Sequence, residues 1–321
     1  MTIHRPLRSG HRQAFEIAKA YVESRRLSVT NISREDLVYL YGELRLPLDA
    51  IGQLIGRSDT RVRYLMHDFG IDRRDIGEAR TGRYNTGFFK EWSPAMAWVL
   101  GLFFTDGCNH GSNISLASTD EEMLNKVQLL LGSDSALTVT DQPGKRIQRI
   151  TLGHKEFRGD LERLGLTAKK SLNIEFPNTP AEYIRHFIRG CWDGDGGFTE
   201  SSGKMAGHYT CGSEKFIKTI ANELFKAGVC RKILRKNSSG DFLQMRKIYG
   251  DGPYPLTVYQ RSASRAFDLR IGTDDQLAAL YEFFYKGVDE SVYLSRKHDK
   301  LATYLTLFRK IGDRLLLPQR G

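Results

Sequence analysis

Two short apolar stretches, residues 97–107 (AWVLGLFFTDG) and 186–198 (HFIRGCWDGDGGF), restrict the fold of this 321-residue chain more than any other feature. Each follows a hydroxyl residue and a proline, at 93–94 and at 179–180, which is the typical start of a helix. The first stretch carries no charge before its terminal Asp-Gly pair, so a helix there has to be buried on every side. It is too short to cross a bilayer, which takes about 20 residues. We therefore predict two core helices, each ending in Asp-Gly.

Matching glycines in the two stretches predict that these helices pack against each other. Gly101 and Gly190 each lie five residues before an aspartate, Asp106 or Asp195. A glycine within a helix costs roughly 1 kcal/mol relative to alanine, so two at matching positions indicate a close approach of two backbones. The packing brings both carboxylates to neighbouring helix C-termini, where they repel each other. A divalent cation relieves that repulsion, and ligands that are all oxygen favour Mg²⁺. The chemistry predicted is metal-assisted phosphodiester hydrolysis.

The segments VLGLFFTDG (99–107) and IRGCWDGDG (188–196) resemble the two copies of the LAGLIDADG motif of homing endonucleases. Either motif alone is better explained as a buried helix with an ordinary turn, but the matching caps, glycines and acids favour a functional pair. The resemblance implies that the last acid of each motif binds the catalytic metals, with Mg²⁺ as the cofactor and Mn²⁺ as a substitute. The metal-site residues predicted in this way are Asp106, Asp195, Gly107 and Gly196.

Cleavage also requires positive charge near the scissile phosphate, which lysine or arginine supplies. The resemblance implies one such residue in each half, and the local sequence matches Lys170 and Lys297 to these positions. Lys169 and Arg296 are adjacent alternatives. Asp193 takes the earlier acidic position of the second motif, but the first motif has an aromatic residue there, so we assign it no metal role.

The sequence after each motif repeats the same order of predicted elements. In the first half we predict a strand at 113–118, a helix at 120–131, a strand pair at 137–140 and 146–152, and a helix at 156–164. In the second half we predict a strand at 208–211, a helix at 214–227, a strand at 266–271 and a helix at 275–285. The second half is longer by about 30 residues, which we place within 230–264. The predicted fold class is α+β, with two pseudo-symmetric αββαββα repeats, the motif helices at their interface, and a small all-α helix-turn-helix domain in front.

Residues 33–71 carry a pattern of short helices that resembles a helix-turn-helix, with its turn at residues 56–58 (GRS). Val62, Leu65 and Met66 have the spacing of a buried helix face. The start of the last helix contacts base edges in such a module, and the residues predicted to do so are Thr60, Arg61 and Arg63. A three-helix bundle with no role in DNA binding is the alternative, which the basic charge and the attached motif pair disfavour.

A net charge of +10 suits a polyanionic partner, and we predict double-stranded DNA. Antiparallel sheets with one open face can lie in the major groove, where each base pair presents a distinct pattern. A plain surface role is the alternative for each single residue. The other predicted DNA contacts are Arg83 in the linker, Arg146 and Gln148 in the first half, and Arg235, Lys236, Arg246, Lys247 and Arg261 in or near the insertion.

These features together predict a free-standing, monomeric homing endonuclease that makes a metal-dependent double-strand break in a long target site, the activity that drives intron homing. The alternative is a LAGLIDADG-type DNA-binding regulator or intron maturase that has lost cleavage. Retention of both acids favours the enzyme, because a pure binder gains nothing from two repelling carboxylates. Four cysteines without a C-x-x-C pair, no leader and no membrane-length stretch predict a cytoplasmic, nucleoid-associated protein without membrane contact. The predicted domains are 1–75 (helix-turn-helix), 76–92 (basic linker), 93–178 (first repeat) and 179–321 (second repeat).

Overall fold

The computed structural model describes residues 9–73, 84–134, 137–167, 173–230, 252–262 and 264–315, with the backbone alone at 9–13 and 308–315. The chain divides into two compact units, Met1–Arg80 and Thr81–Gly321, each with its own hydrophobic core.

The N-terminal unit is helical. Helix α2 (Arg34–Leu37) continues directly into a π-helical segment, Val38–Glu43, and the core of the unit contains Leu37, Leu40 and Ile51. Its α-helices are α1 (Ser9–Ser24), α2 (Arg34–Leu37), α3 (Leu48–Leu54) and α4 (Asp59–Asp68).

Helices α3 and α4 are joined by a tight turn whose backbone needs glycine. Gly56 has a φ of +69°, in the left-handed region that glycine adopts without strain. A Cβ on Gly52 would lie 3.1 Å from the carbonyl carbon of Ser58, so the turn folds back onto α3. Ser58 caps α4 by accepting a hydrogen bond from the backbone N–H of Arg61 at 3.3 Å. The predicted inward-facing residues Val62, Leu65 and Met66 are buried.

The C-terminal unit contains two copies of one arrangement of helices and strands. The first copy comprises α5 (Pro94–Thr105), β1 (Gly107–Asn109), β2 (Ile114–Ser118), α6 (Glu121–Leu131), β3 (Thr138–Gln142), β4 (Lys145–Leu152) and α7 (Lys155–Arg163). The second comprises α8 (Ile184–Asp195), β5 (Gly196–Ser201), β6 (Lys204–Cys211), α9 (Glu214–Lys226), β7 (Val258–Gln260), β8 (Phe267–Ile271) and α10 (Asp274–Tyr285). The last helix is α11 (Ser295–Leu315).

Each copy forms a four-stranded antiparallel sheet, in the order β1-β2-β4-β3 in the first and β5-β6-β8-β7 in the second. Helices α5 and α8, the two motif helices, pack against each other at the centre of the unit. The predicted α+β fold with two repeats and the motif helices at their interface is confirmed, as is a helical N-terminal region.

The two motif helices begin differently. Ser93 caps α5 by accepting from the backbone N–H of Met96 at 3.0 Å, and Pro94 occupies the first helical position, as predicted. The prediction that Thr179 caps the second helix is wrong, because its hydroxyl donates to the Pro177 carbonyl at 3.2 Å. A 3₁₀ turn at 181–183 comes first, and α8 starts at Ile184 without a side-chain cap.

The start of α11 ties the second repeat to the first. Arg296 pairs with Asp120 at 2.6 Å, and the Ser295 hydroxyl donates to Glu122 at 2.6 Å. Lys126 donates to backbone carbonyls that precede α11. These contacts hold the N-terminus of α11, which contains Lys297, against α6 of the first repeat.

Candidate active site

The interface between the motif helices depends on two glycines. A Cβ on Gly101 would lie 2.7 Å from the backbone nitrogen of Cys191 and 2.8 Å from the Cα of Gly190. A Cβ on Gly190 would lie 3.1 Å from the Cα of Gly101 and would overlap the Trp98 carbonyl. Atoms at these separations clash, so only glycine permits this backbone contact. Gly101 and Gly190 therefore lie where the two motif helices come closest.

The helix contact brings the two motif acids together. Asp106 is the C-cap of α5 and Asp195 is the last residue of α8. A Cβ on Gly194 would lie 3.1 Å from the Asp106 Oδ2 atom, so the Asp106 carboxylate lies beside the residue that precedes Asp195. Burial raises the pKa of Tyr209 well above its usual value, and the charges of Asp195 and Asp106 both add to the increase. Both carboxylates therefore lie near the same buried phenol.

The donor set at this position fits a hard cation. Asp195 is exposed and Asp106 is partly buried, and both lie at helix C-termini, which carry negative partial charge. Among the described residues, no group of three or more His, Cys, Asp or Glu side chains could enclose a metal ion. Two carboxylates, one of them exposed to solvent, suit Mg²⁺, which takes one or two carboxylates and completes its shell with other oxygens.

Lys297 lies at the same place but is fully engaged by the protein. Its ammonium donates to the carbonyls of Trp192 at 2.7 Å, Asp193 at 2.6 Å and Gly196 at 2.6 Å. Burial lowers its pKa to about 8, although the negative charges of Asp193 and Asp106 oppose the decrease. The three N–H donors of the ammonium thus satisfy two carbonyls in the last turn of α8 and the carbonyl of its C-cap residue, Gly196. The predicted contact of Lys297 with the scissile phosphate requires one of these hydrogen bonds to break.

Asp193 is a buried carboxylate that is hydrogen-bonded within the protein. It is completely buried, and its Oδ2 accepts from the Trp98 indole at 2.8 Å and from the backbone N–H of Leu294 at 3.2 Å. Burial raises its pKa to about 6, against the opposing effect of Lys297. The Trp98 contact crosses between the two motif helices, so Asp193 links the repeats.

Arg189 is a buried charge that sequence reasoning missed. Its guanidinium donates to the carbonyls of Phe284 and Val292, both at 2.8 Å, and to the ring of His186 at 2.7 Å. Burial lowers its pKa to about 10, so it stays protonated at neutral pH. The available signal was a charged residue within an apolar helix, where the first motif has leucine. Arg189 holds α8 to the end of α10 and to the segment before α11.

The strand register decides which side chains lie on the open face of each sheet. In β4, Ile150 and Leu152 are buried against the helices. Arg146 and Gln148 lie on the same face of the strand as these two residues. Arg149 lies on the opposite face, is exposed, and pairs across the sheet with Ala117 and Thr138. Arg149 is therefore the open-face arginine of the first sheet, and a DNA contact by Arg146 or Gln148 stays a prediction.

Arg261 lies on the open face of the second sheet in a fixed orientation. Its Nε donates to Asp268 at 2.7 Å and its Nη2 donates to the Thr210 hydroxyl at 3.2 Å. About half of the side chain remains exposed, which leaves part of the guanidinium available to a ligand. The pairing with Asp268 reduces the conformational entropy that a contact with DNA would cost.

The remaining predicted residues fall into two groups. Thr60, Arg61 and Arg63 are exposed on the first turns of α4, where Arg63 pairs with Asp59 at 3.3 Å. Predicted residues outside the described part of the chain are Arg83, Lys169, Lys170, Arg235, Lys236, Arg246 and Lys247. Their roles stay predictions.

A family model described as a LAGLIDADG-like domain matches residues 93–152 and 182–272, which contain the two motif helices and most of both sheets. This match shows a LAGLIDADG-like domain in residues 93–152 and 182–272, with one segment for each copy of the motif. Comparison with curated proteins returns no match. Within the described residues, no helix is long and apolar enough to cross a membrane.

Comparison with solved structures finds similar chains at low sequence identity. Variants of the homing endonuclease I-DmoI are 12% identical, with a TM-score of 0.40, over 68% of this chain and 99% of that chain. I-SmaMI bound to an uncleaved DNA target with calcium is 12% identical, with a TM-score of 0.41, over 71% of this chain and 95% of that chain. Full-length DUF199/WhiA from Thermatoga maritima is 14% identical, with a TM-score of 0.39, over 75% of this chain and 74% of that chain.

Proposed function

We propose that this protein is a site-specific DNA endonuclease that uses divalent metal ions to cut both strands of a duplex. The observation that carries the proposal is the convergence of Asp106 and Asp195 at the ends of two glycine-packed helices. Two repelling carboxylates at negative helix termini destabilise the fold, and metal-dependent hydrolysis is the function that explains them. One chain supplies both acids, so a monomer suffices.

Asp106 and Asp195 would hold Mg²⁺ or Mn²⁺ in this enzyme. A bound divalent ion would stabilise charge on the phosphate and activate a water as the nucleophile. The protein's own contribution is to fix the two carboxylates relative to each other. Gly101 and Gly190 set the distance between the helices, and the hydrogen bonds of Lys297 hold the end of α8 in place. Lys297 acts here as a positioning residue, which replaces the direct phosphate contact that the sequence predicts.

The two sheets would read the target site on either side of the cut. Polar and charged side chains cover their open faces, with Arg149 and Thr138 in the first sheet and Arg270 and Arg261 in the second. A curved antiparallel sheet fits the major groove, where arginine makes bidentate contacts with guanine. The net charge of +10 strengthens binding to any duplex, and the basic residues predicted in 230–264 would add phosphate contacts.

Selection from a library of plasmids with a randomised 30-base-pair segment, about three turns of duplex, tests this function. Wild-type protein with Mg²⁺ is expected to linearise a small related set of sequences, which sequencing of the cut ends identifies. Enrichment of related sequences by binding in Ca²⁺, without cleavage in Mg²⁺ or Mn²⁺, would instead favour the regulator or maturase. If the protein neither binds nor cuts any member of the library, a DNA-directed function is refuted.

The exposed start of α4 leads to a prediction about the N-terminal unit. If α4 enters a major groove, Arg61→Ala and Arg63→Ala should each weaken binding by about 1–3 kcal/mol and relax base preference in one flank only. Lys19→Ala, which removes an exposed positive charge from α1, is the matched control and should leave base preference unchanged. Footprinting and binding titrations on the selected duplex measure both effects. Unchanged flank preference in the two arginine variants would identify the N-terminal unit as a structural bundle.

A further inference from the structure

A histidine lies on the open face of the second sheet, against the strand that leaves the second motif helix. His208 in β6 pairs directly with Gly197, two residues after Asp195. A Cβ on Gly197 would lie 2.8 Å from Nε2 and 2.9 Å from Cε1 of the imidazole, so the ring lies across the strand that leaves the motif. The neighbouring residues of the strand, Gly207 and Tyr209, are buried toward the helices, which places His208 on the opposite, open face.

The equivalent position in the first repeat is occupied differently. The strand register equates Gly197 with Cys108 and His208 with Ser115. His110 approaches this pair from the end of β1, with Nε2 at 3.0 Å from the Ser115 hydroxyl and Nδ1 at 3.8 Å from the Cys108 sulfur. Both ring nitrogens of His110 are thus engaged by the protein, whereas the imidazole of His208 makes no hydrogen bond within the described part of the chain.

The surroundings of His208 suit contact with an anion. Arg270 pairs with it across the sheet and is exposed. Burial, followed by the charge of Lys297, lowers the pKa of His208, with smaller contributions in the same direction from Arg261 and Arg270 and an opposing one from Asp268. In either protonation state the imidazole carries an N–H donor that can reach a phosphate oxygen.

We propose that His208 is a further catalytic residue, which hydrogen-bonds the scissile phosphate in the half of the site that contains Asp195. The half that contains Asp106 has no equivalent, because Ser115 takes that position and its histidine is already bonded. The two halves are chemically unequal, so the two DNA strands are cut at different rates. This inference rests on the proposed endonuclease function.

Strand-specific kinetics on a duplex selected from the library test the inference. Each strand is labelled separately and cut by saturating full-length protein in a single turnover with Mg²⁺. His208→Ala should slow one strand by about 10- to 100-fold, the loss expected for one hydrogen bond to a charged oxygen. The other strand should be cut at nearly the wild-type rate, so nicked duplex accumulates. His208→Gln, which keeps a donor, should recover part of the lost rate, as should imidazole added to His208→Ala.

His110→Gln is the matched control and should leave both strand rates close to wild type. The dissociation constant measured in Ca²⁺ and the melting temperature should be unchanged in His208→Gln, which separates a role in chemistry from a role in folding. Equal slowing of both strands in the His208 variants, or wild-type rates for both, would overturn the inference and leave the endonuclease function standing. If wild-type protein cuts no library member with Mg²⁺ or Mn²⁺, the proposed function fails and the inference fails with it.

Discussion

Asp106→Asn and Asp195→Asn are each expected to lower the rate of double-strand cleavage by at least about 10²- to 10³-fold, because each removes one of the two charges that would hold the metal. Binding of the duplex in Ca²⁺ should be largely retained, since loss of one carboxylate also removes a repulsion between neighbouring helix ends. Single-turnover cleavage of the selected duplex, together with a binding titration, measures both quantities.

Glu200→Gln provides the matched control for these variants. Glu200 is an exposed acid five residues after Asp195, and it lies on the same face of β5 as the buried Phe198, away from the open face. The same change of charge should therefore leave cleavage unaffected. Wild-type cleavage by either aspartate variant would show that the paired motif acids are not the active site. Loss of both cleavage and binding, with an intact melting transition, would point to a role of the acids in DNA binding.

Gly190→Ala is expected to lower the free energy of unfolding of the C-terminal unit by about 2–4 kcal/mol, because the added methyl group has no space between two helix backbones. The new Cβ would overlap the Trp98 carbonyl and lie 3.0 Å from the carbonyl carbon. Backbone atoms cannot move aside as the end of a flexible side chain can, so the helices have to separate. Urea unfolding followed by circular dichroism measures the change.

Gly159→Ala is the control for helix propensity. Gly159 lies within α7, and a Cβ built there meets no atom within 4 Å. Alanine is the better helix former, so this variant should be more stable by up to about 1 kcal/mol. A stabilised Gly190→Ala protein would mean that the motif helices do not pack through their glycines. The opposite signs expected for one substitution in two helices make the test independent of any general effect of alanine.

Much of the fold was predictable because it depends on local chemistry. The Ser93–Pro94 start of α5 and its uniform hydrophobicity are properties of a few neighbouring residues. The paired glycines predicted the helix contact, since glycine in the middle of a helix is unfavourable without a packing reason. The repeated order of elements predicted two similar halves. Strands β1 and β5 were missed, because Gly107–Asn109 and Gly196–Ser201 begin with glycine and acquire strand structure from pairing with β2 and β6.

The roles of individual polar side chains were less accessible. Lys297 was predicted as a phosphate contact from its position in the sequence. The carbonyls that it binds are more than 100 residues away along the chain, so the neighbouring sequence does not indicate these hydrogen bonds. The choice of Arg146 and Gln148 over Arg149 depended on the phase of a strand, and a shift of one residue moves every side chain to the other face. The prediction of Thr179 as a helix cap was wrong because a 3₁₀ turn at 181–183 precedes α8.

The sequence by itself determined the two buried helices, their contact through Gly101 and Gly190, and the identity of the acids at their ends. These features follow from hydrophobicity and backbone freedom, which act within one or two turns of a helix. Only the tertiary structure decided that Lys297 is fully bonded, that Asp193 links the repeats through Trp98, and that the His208 ring lies over Gly197, at the position that Ser115 occupies in the other half. Burial and partner atoms from distant segments set these roles, and neither is encoded in the neighbouring residues.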